Sequence, residues 1–247
     1  MNTQKLYSYV RQAIDRYLLI ETQDHIAVGV SGGKDSLILL YALAGLQKFY
    51  PVPFQLTAVV IDLGFGMSYE PVVRFCEDLG VSCQVIPTSI KEIVFSDRKE
   101  KDRKSPCSLC ANLRRGALVD AAKALGCTKI ALGHHRDDII HTMMMSMIHE
   151  GRFYSVSPFT AYEDRELAII RPLIYLSEGE IKGFVEKMQF PVVANRCPMD
   201  SHSARSEMKD LVNQISLNYP GVRRQLFHAI ETSTVDDWVQ ARARGEK

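Results

Sequence analysis

Residues 25 to 44, HIAVGVSGGKDSLILLYALA, constrain the fold of this chain more than any other stretch. Ile26, Ala27, Val28, Gly29 and Val30 form a short apolar run of the kind used by a strand buried on both faces. Leu37 to Ala44 is apolar and long enough for a helix. Between them lie Ser31, Gly32, Gly33, Lys34, Asp35 and Ser36. A strand, a glycine turn and a helix N-terminus together make an anion site, because backbone N–H groups and the positive end of the helix dipole point the same way. Gly32 and Gly33 let phosphate oxygens approach the main chain, Ser31 and Ser36 bring hydroxyl donors, and Lys34 brings a point charge. The stretch is not a Walker A loop: GxxxxGK ending at Gly33-Lys34 requires glycine at position 28, where Val28 stands. It is not GxGxxG either.

The rest of the chain supplies the alternation such a unit needs. Leu6, Val10, Ile14 and Leu18 recur at helical spacing over residues 3 to 20, with Thr3 at the start. Leu56 to Leu63 reads as a second buried strand, residues 69 to 79 as a helix stopped by Gly80, and Val81 to Pro87 as a third strand. Ala117 to Leu125 reads as a helix, Cys127 to His134 as a fourth strand, and Ile139 to Ile148 as a helix that Asp137 and Asp138 open. Helices follow over Glu178 to Met188 and Ala204 to Leu217. The expected fold is α/β: a doubly wound, mostly parallel, Rossmann-like sheet with a C-terminal helical region. The expected division is an N-terminal helix over 1–20, a nucleotide-binding domain over 21–177 and a helical region over 178–247. Ligands in such sheets bind beyond the carboxyl ends of the strands. That places Asp62, Gly133 and His134 near the nucleotide, although a strand-terminal Asp also serves as a plain turn cap. Successive residues of an extended chain point to opposite faces, so at most one of His134 and His135 meets ligand.

At 247 residues and 46% apolar, the chain supports one large domain with an appendage. Thirty basic residues against twenty-nine acidic ones leave a net charge of +1, so nucleic-acid binding requires a local patch. Arg114, Arg115, Arg205, Lys209, Arg223 and Arg224 are its candidates, and solvated helix faces account for each of them separately. Arg11, Asp15 and Arg16 interrupt any apolar leader and no apolar run reaches a membrane span, so a cytoplasmic location is expected. The six cysteines are then core residues, metal ligands or reactive thiols, not disulfides.

Cys107 and Cys110 form a lone C-x-x-C in PCSLC, which suits half a zinc site, a redox dithiol or part of an iron–sulfur site. A zinc ribbon needs a second such pair or spaced histidines, which the sequence lacks. Cys76, Cys83 and Cys127 sit in apolar contexts that read as core. Cys197 lies in a polar, proline-bounded stretch, NRCPMDS, with no packing reason for a thiol. Two thiols plus one distant thiol suit a cluster with an incomplete ligand set better than structural zinc. The charged stretch 96–106, SDRKEKDRKSP, reads as a solvated loop ahead of the cysteine pair.

SGGKDS resembles the PP-loop of the N-type ATP pyrophosphatases. SGGKDS, PCSLCANLRRG, ALGHHRDD and IIRPL (Ile169 to Leu173) occur together in an order similar to the TtcA family, the tRNA 2-thiocytidine synthetases, over roughly residues 5 to 230. The resemblance implies ATP with Mg²⁺, cleaved between its α and β phosphates, and an oxygen-sensitive [4Fe–4S] cluster on Cys107, Cys110 and Cys197. It also implies a tRNA substrate, a homodimer and a cysteine desulfurase as sulfur donor. Lys34 and Asp35 join the three cysteines as catalytic candidates; Asp35 either aids the metal or caps the helix. Around Cys197 the chain departs from the family, reading Asn195-Arg196-Cys197-Pro198-Met199 where NLCGSQ is expected. Two rivals share these residues: the same machinery thiolating or desulfurising a small molecule, and an ATP- and iron-binding sensor without turnover.

Overall fold

The computed structural model describes residues 1–95, 106–162, 167–194, 196–197, 204–234 and 236–245. Its centre is a six-stranded sheet in the order β3-β2-β1-β4-β6-β5. The strands are β1 (His25–Gly29), β2 (Gln55–Asp62), β3 (Ser82–Pro87), β4 (Lys129–Ala131), β5 (Phe159–Tyr162) and β6 (Leu167–Ile170). All neighbours run parallel except the β5–β6 hairpin at one edge. Along β1 and β2, alternate side chains serve two cores. Ile26, Val28, Ala58 and Val60 pack toward one face, and Ala27, Val59 and Ile61 toward the other. A strand buried on both faces has to be apolar at every position, which explains the unbroken run of β-forming residues in this part of the chain.

The first face is covered by α1 (Thr3–Tyr17), α2 (Lys34–Gln47), α3 (Glu70–Leu79), α6 (Arg136–Glu150) and α7 (Glu178–Lys187), with residues of the C-terminal helices in the same core. The second face is covered by α4 (Ile90–Phe95) and α5 (Pro106–Ala124). Helices on both faces of a mainly parallel sheet are the doubly wound arrangement the sequence predicts. In α2, Leu37, Ile38, Leu39, Leu40 and Leu43 are all fully buried, so this helix is apolar all round and lies inside the molecule.

Several boundaries differ from the sequence expectation. α1 stops at Tyr17 because Leu18 turns left-handed at φ 44°. The fourth strand is only three residues, Lys129–Ala131, and its flanks are loop. α5 begins at Pro106, so the cysteine pair lies on a helix ahead of the expected Ala117 start. The β5–β6 hairpin, α9 (Val222–Glu231) and α10 (Asp236–Gly245) were not anticipated, while α8 (Ala204–Asn218) was. The charged loop falls at 96–105, outside the described residues apart from Pro106.

Winding runs outward from β1 to β2 and β3 on one side, and from β4 to β6 on the other. The order reverses between β1 and β4, and the loops leaving these two strands therefore flank a crevice.

Candidate active site

The loop after β1 is built around two hydroxyls. The Ser31 N–H donates to Ser36 Oγ (3.1 Å), Ser36 Oγ donates to the Gly33 carbonyl (2.9 Å), and the Gly33 N–H donates to Ser31 Oγ (3.3 Å). Gly32 sits at φ 82°, the left-handed region glycine tolerates, and Gly33 occupies the N-cap of α2 without a capping side chain. The first-turn N–H groups of α2 have no acceptors within the helix, so the loop presents donors and the positive end of the dipole together. This is the anion cradle expected at Ser31 to Ser36.

Lys34 Nζ lies 2.9 Å from Asp35 Oδ2 and 3.5 Å from Glu178 Oε1. Burial works against its charge, but the two carboxylates outweigh that and raise its pKa, so the cation is held firmly at the loop. Glu178 in turn takes Lys209 Nζ at 2.8 Å. Asp35 Oδ1 is buried without a hydrogen-bond partner, and His135 Nε2 is 3.7 Å away. The same His135 nitrogen is 3.4 Å from Asp138 Oδ2. His135 is therefore the inward member of the histidine pair, while His134 is half-buried beside it. A hard, unpartnered carboxylate oxygen next to a phosphate cradle suits Mg²⁺.

Asp137, buried at 3% exposure, joins this loop to the C-terminal helices. Its Oδ1 pairs with Arg223 Nη1, and its Oδ2 accepts the Glu178 N–H at 2.7 Å. Arg223 also donates to Asn213 Oδ1 at 2.6 Å. Lys209 and Arg223 are thus committed to carboxylates within the molecule, and the expected phosphate-binding patch is reduced to Arg114, Arg115 and Arg224; the Arg205 side chain lies outside the described residues. Removing Asp137 leaves the half-buried Arg223 and the Glu178 N–H without their acceptor, so Asp137→Ala is expected to cost about 1–3 kcal/mol in chemical denaturation. His141, one turn along α6, is 4% exposed. Burial lowers its pKa below the ordinary 6.5 despite the nearby Asp137 and Asp138 carboxylates. The folded state then binds this proton less well than the unfolded state. Stability from this site is complete above pH 6.5 and falls as pH drops below it, by at most about 1.4 kcal/mol per pH unit. Denaturation from pH 7.5 to 5 should show that fall, and His141→Gln should flatten it.

Gly133 and Asp62 occupy the crevice in different ways. A Cβ on Gly133 would stand 2.8 Å from the Asp35 carbonyl oxygen, so the loop after β4 packs main chain to main chain on the start of α2. Asp62 Oδ1 accepts the Gly64 N–H at 3.0 Å, the turn-capping role weighed for it above. Burial raises the Tyr69 pKa, the Asp62 carboxylate adds to the rise and Arg114 opposes it.

Cys107, Cys110 and Cys197 line one cavity of about 140 Å³ together with Val94, Phe95 and Arg114. The helical i, i+3 spacing puts Cys107 and Cys110 on one face of α5. Cys197 arrives on a strap that crosses the phosphate loop: the Val193 N–H donates to the Gly32 carbonyl at 3.0 Å, and Arg196 Nη1 donates to the Gly66 carbonyl at 2.9 Å. Burial raises the pKa of Cys110, Arg114 opposes it, and the other two thiols add to the rise. A thiol such as Cys110, whose charge burial disfavours, is stabilised as the thiolate when a cationic centre takes it as a ligand. Among the described residues no three His, Cys, Asp or Glu side chains converge on a single metal ion, whereas a multinuclear cluster spans a wider set of sulfurs. The donor set fits a [4Fe–4S] group with three protein ligands. Cys76 and Cys127 are buried and Cys83 is half-buried, in keeping with core roles.

Sequence reasoning missed Glu178, Val193, Arg196 and Phe95 as parts of this region, and of the histidine pair it placed His134, not the inward His135, near the nucleotide. One signal was available: Ser177 and Glu180 form a capping box, which fixes the start of α7 and brings Glu178 to Lys34. The others meet the site through long-range contacts without a local pattern.

A family model described as a PP-loop domain matches residues 3–214. A tRNA-cytidine(32) 2-sulfurtransferase of Pelobacter propionicus is 38% identical over 229 residues, covering 92% of this chain and 84% of that one. The protein of that name from Idiomarina loihiensis is 40% identical, covering 89% and 73%. Among solved structures, the U34-tRNA thiolase of Methanococcus maripaludis with its [4Fe–4S] cluster superposes with a TM-score of 0.75 at 26% identity, covering 92% of this chain and 77% of that one. An NH3-dependent NAD synthetase of Campylobacter jejuni shares the fold at TM-score 0.53 and 16% identity. With its phosphate loop, its three-cysteine pocket and these relatives, the chain belongs to the PP-loop family, among the tRNA-cytidine(32) 2-sulfurtransferases.

Proposed function

We propose that this protein uses ATP to replace O2 of cytidine 32 in tRNA with sulfur. The observation that carries the reading is the strap, which joins the phosphate loop at Val193 to the cysteine pocket at Cys197. Activation and sulfur insertion act in sequence on one carbon, so their two centres have to be neighbours.

In the first stage, cytidine O2 attacks the α-phosphorus of ATP. The O2–P bond forms, the bond to the β-phosphate oxygen breaks, and pyrophosphate leaves. Loop N–H groups and Lys34 stabilise the charge that builds on the phosphates, while Asp35 holds Mg²⁺. Asp35 also fixes Lys34, and Glu178 supports it from the other side. In the second stage, reduced sulfur adds to C2 and AMP leaves with the original oxygen. Cys107, Cys110 and Cys197 hold the [4Fe–4S] cluster, which when bound supplies the site for that sulfur. A cysteine desulfurase as sulfur source, a thiol reductant that brings its persulfide sulfur to the sulfide level with formation of a disulfide, and a homodimeric assembly belong to the same proposal.

Anaerobically reconstituted protein mixed with unmodified tRNA and ATP should release pyrophosphate and form 2-thiocytidine, detected by nucleoside mass spectrometry. Binding should weaken steeply with added salt. Pyrophosphate release without tRNA, or binding indifferent to salt, overturns the RNA substrate; absence of any turnover overturns the enzyme.

A further inference from the structure

At the edge of the cysteine cavity the molecule holds an aromatic pair that has no part in holding phosphate or sulfur. Phe95 ends α4 and is 41% exposed, while lining the cysteine cavity together with Val94. Its ring meets that of Phe65 edge to face, with centroids 5.9 Å apart at 79°. Lys91 Nζ stands 5.7 Å from the centroid of the Phe65 ring. Phe65 lies in the turn after β2, and the next carbonyl, that of Gly66, accepts Arg196 beside Cys197. The pair is thus packed on α4 from one side and fastened to the cysteine strap from the other.

We propose that Phe95, braced by Phe65, is the stacking face for an unpaired nucleobase of the RNA substrate; this rests on the tRNA-thiolation reading above. For C2 to receive sulfur at the cysteine pocket, the pyrimidine ring has to lie against a wall of that pocket. Among the described residues the walls other than the thiols are Val94, Phe95, Pro106, Ala111 and Arg114, and Phe95 is the aromatic one. Proteins recognise splayed-out bases by stacking them on aromatic rings, and they place cations beside those rings for the backbone. Lys91, Arg114 and Arg196 are exposed around this pair. Among the described residues the nearby carboxylates are Glu92, exposed on α4, and Asp62, whose Oδ1 is engaged by the Gly64 N–H. A phenylalanine kept at this exposure by a second ring, at the mouth of a reactive pocket, has a ligand-facing surface that core packing does not require.

The test separates stacking from the chemistry. In Phe95→Trp the new indole reports on its own surface, because the native Trp238 is fully buried and gives a constant background. Unmodified tRNA should quench the Phe95→Trp emission, and a fully paired RNA duplex at equal phosphate concentration should not. In the thiolation assay, Phe95→Ala should lower kcat/KM by about 5- to 150-fold, Phe95→Leu should rescue little, and Phe95→Tyr should stay within about twofold of the wild type. The iron content of all variants should match the wild type. No quenching by tRNA, or Phe95→Leu equal to Phe95→Tyr, overturns the proposal. Loss of iron in Phe95→Ala also overturns it, since Phe95 would then be only a wall of the cluster site. Should the wild type fail to thiolate tRNA, the functional reading falls while the quenching measurement still decides whether Phe95 stacks on unpaired bases.

Discussion

Cys197→Ser is expected to abolish thiolation and to lower bound iron and sulfide to background, while leaving the fold intact. A redox dithiol, or one half of a zinc site, would be complete with Cys107 and Cys110 on α5 and indifferent to a residue almost ninety positions later. Instead the strap carries Cys197 into the same cavity of about 140 Å³. Serine is a poor ligand for soft iron and conserves volume, so the change removes a ligand without opening a gap. Cys197 is only half-buried, and loss of its thiol should change stability by no more than about 0.5 kcal/mol. Iron and sulfide assays after anaerobic reconstitution, with nucleoside mass spectrometry of tRNA, read both effects. Full iron content in Cys197→Ser would show that the cluster does not take Cys197 as a ligand, and absence of iron from the reconstituted wild type would return the cysteine pair to the redox or zinc readings. Cys127→Ser is the matched control: Cys127 packs in the core beneath α5, so it should lose stability and keep its iron.

The sequence exposed those parts of this architecture that depend on local pattern. The run from Ile26 to Val30 has to be apolar because two cores meet across it, and the glycine turn has to follow because Gly32 adopts φ 82°. Pattern failed where tertiary contacts decide. α10 reads as polar, and its helix is secured by Trp238, which packs edge-on against Tyr17 and Phe227, and by the buried Ala241. The β5–β6 hairpin is two four-residue strands, too short to carry a period. Pro106 looks like loop punctuation in sequence but is the first residue of α5, a position where proline's fixed φ is acceptable. Alternation shows that His134 and His135 diverge; only the fold shows that His135 turns toward Asp35. Lys209 and Arg223 look like surface cations until Glu178 and Asp137 arrive from elsewhere in the chain.

Gly133→Ala tests whether the two halves of the crevice work as one rigid unit. The loop after β4 and the start of α2 belong to strands on opposite sides of the switch point, and Gly133 is where they touch. An added methyl would meet the Asp35 carbonyl oxygen at 2.8 Å, its carbon at 2.9 Å and the Ser36 nitrogen at 3.1 Å. All three are main-chain atoms in the first turn of α2, which the buried leucines of that helix hold in place, so no side chain can rotate away to make room. The chain has to move by several tenths of an ångström, and what moves is either the phosphate cradle or the histidine loop. Overpacking of this kind costs about 1–3 kcal/mol. The larger effect is on catalysis, since misplacement of reacting groups by about 1 Å lowers rates by about 10²-fold. Gly116→Ala supplies the contrast. It lies in α5 with no heavy atom within 4 Å of the new Cβ, and should raise stability by about 0.4–1 kcal/mol. Tm and single-turnover pyrophosphate release, measured on both variants, separate a displaced site from a generally weakened fold. If Gly133→Ala keeps its turnover within about threefold, the contact is compliant and the crevice is not a rigid unit. If it loses turnover while Gly116→Ala gains stability at full rate, the position of Asp35 and Lys34 relative to the β4 loop sets the rate of nucleotide activation.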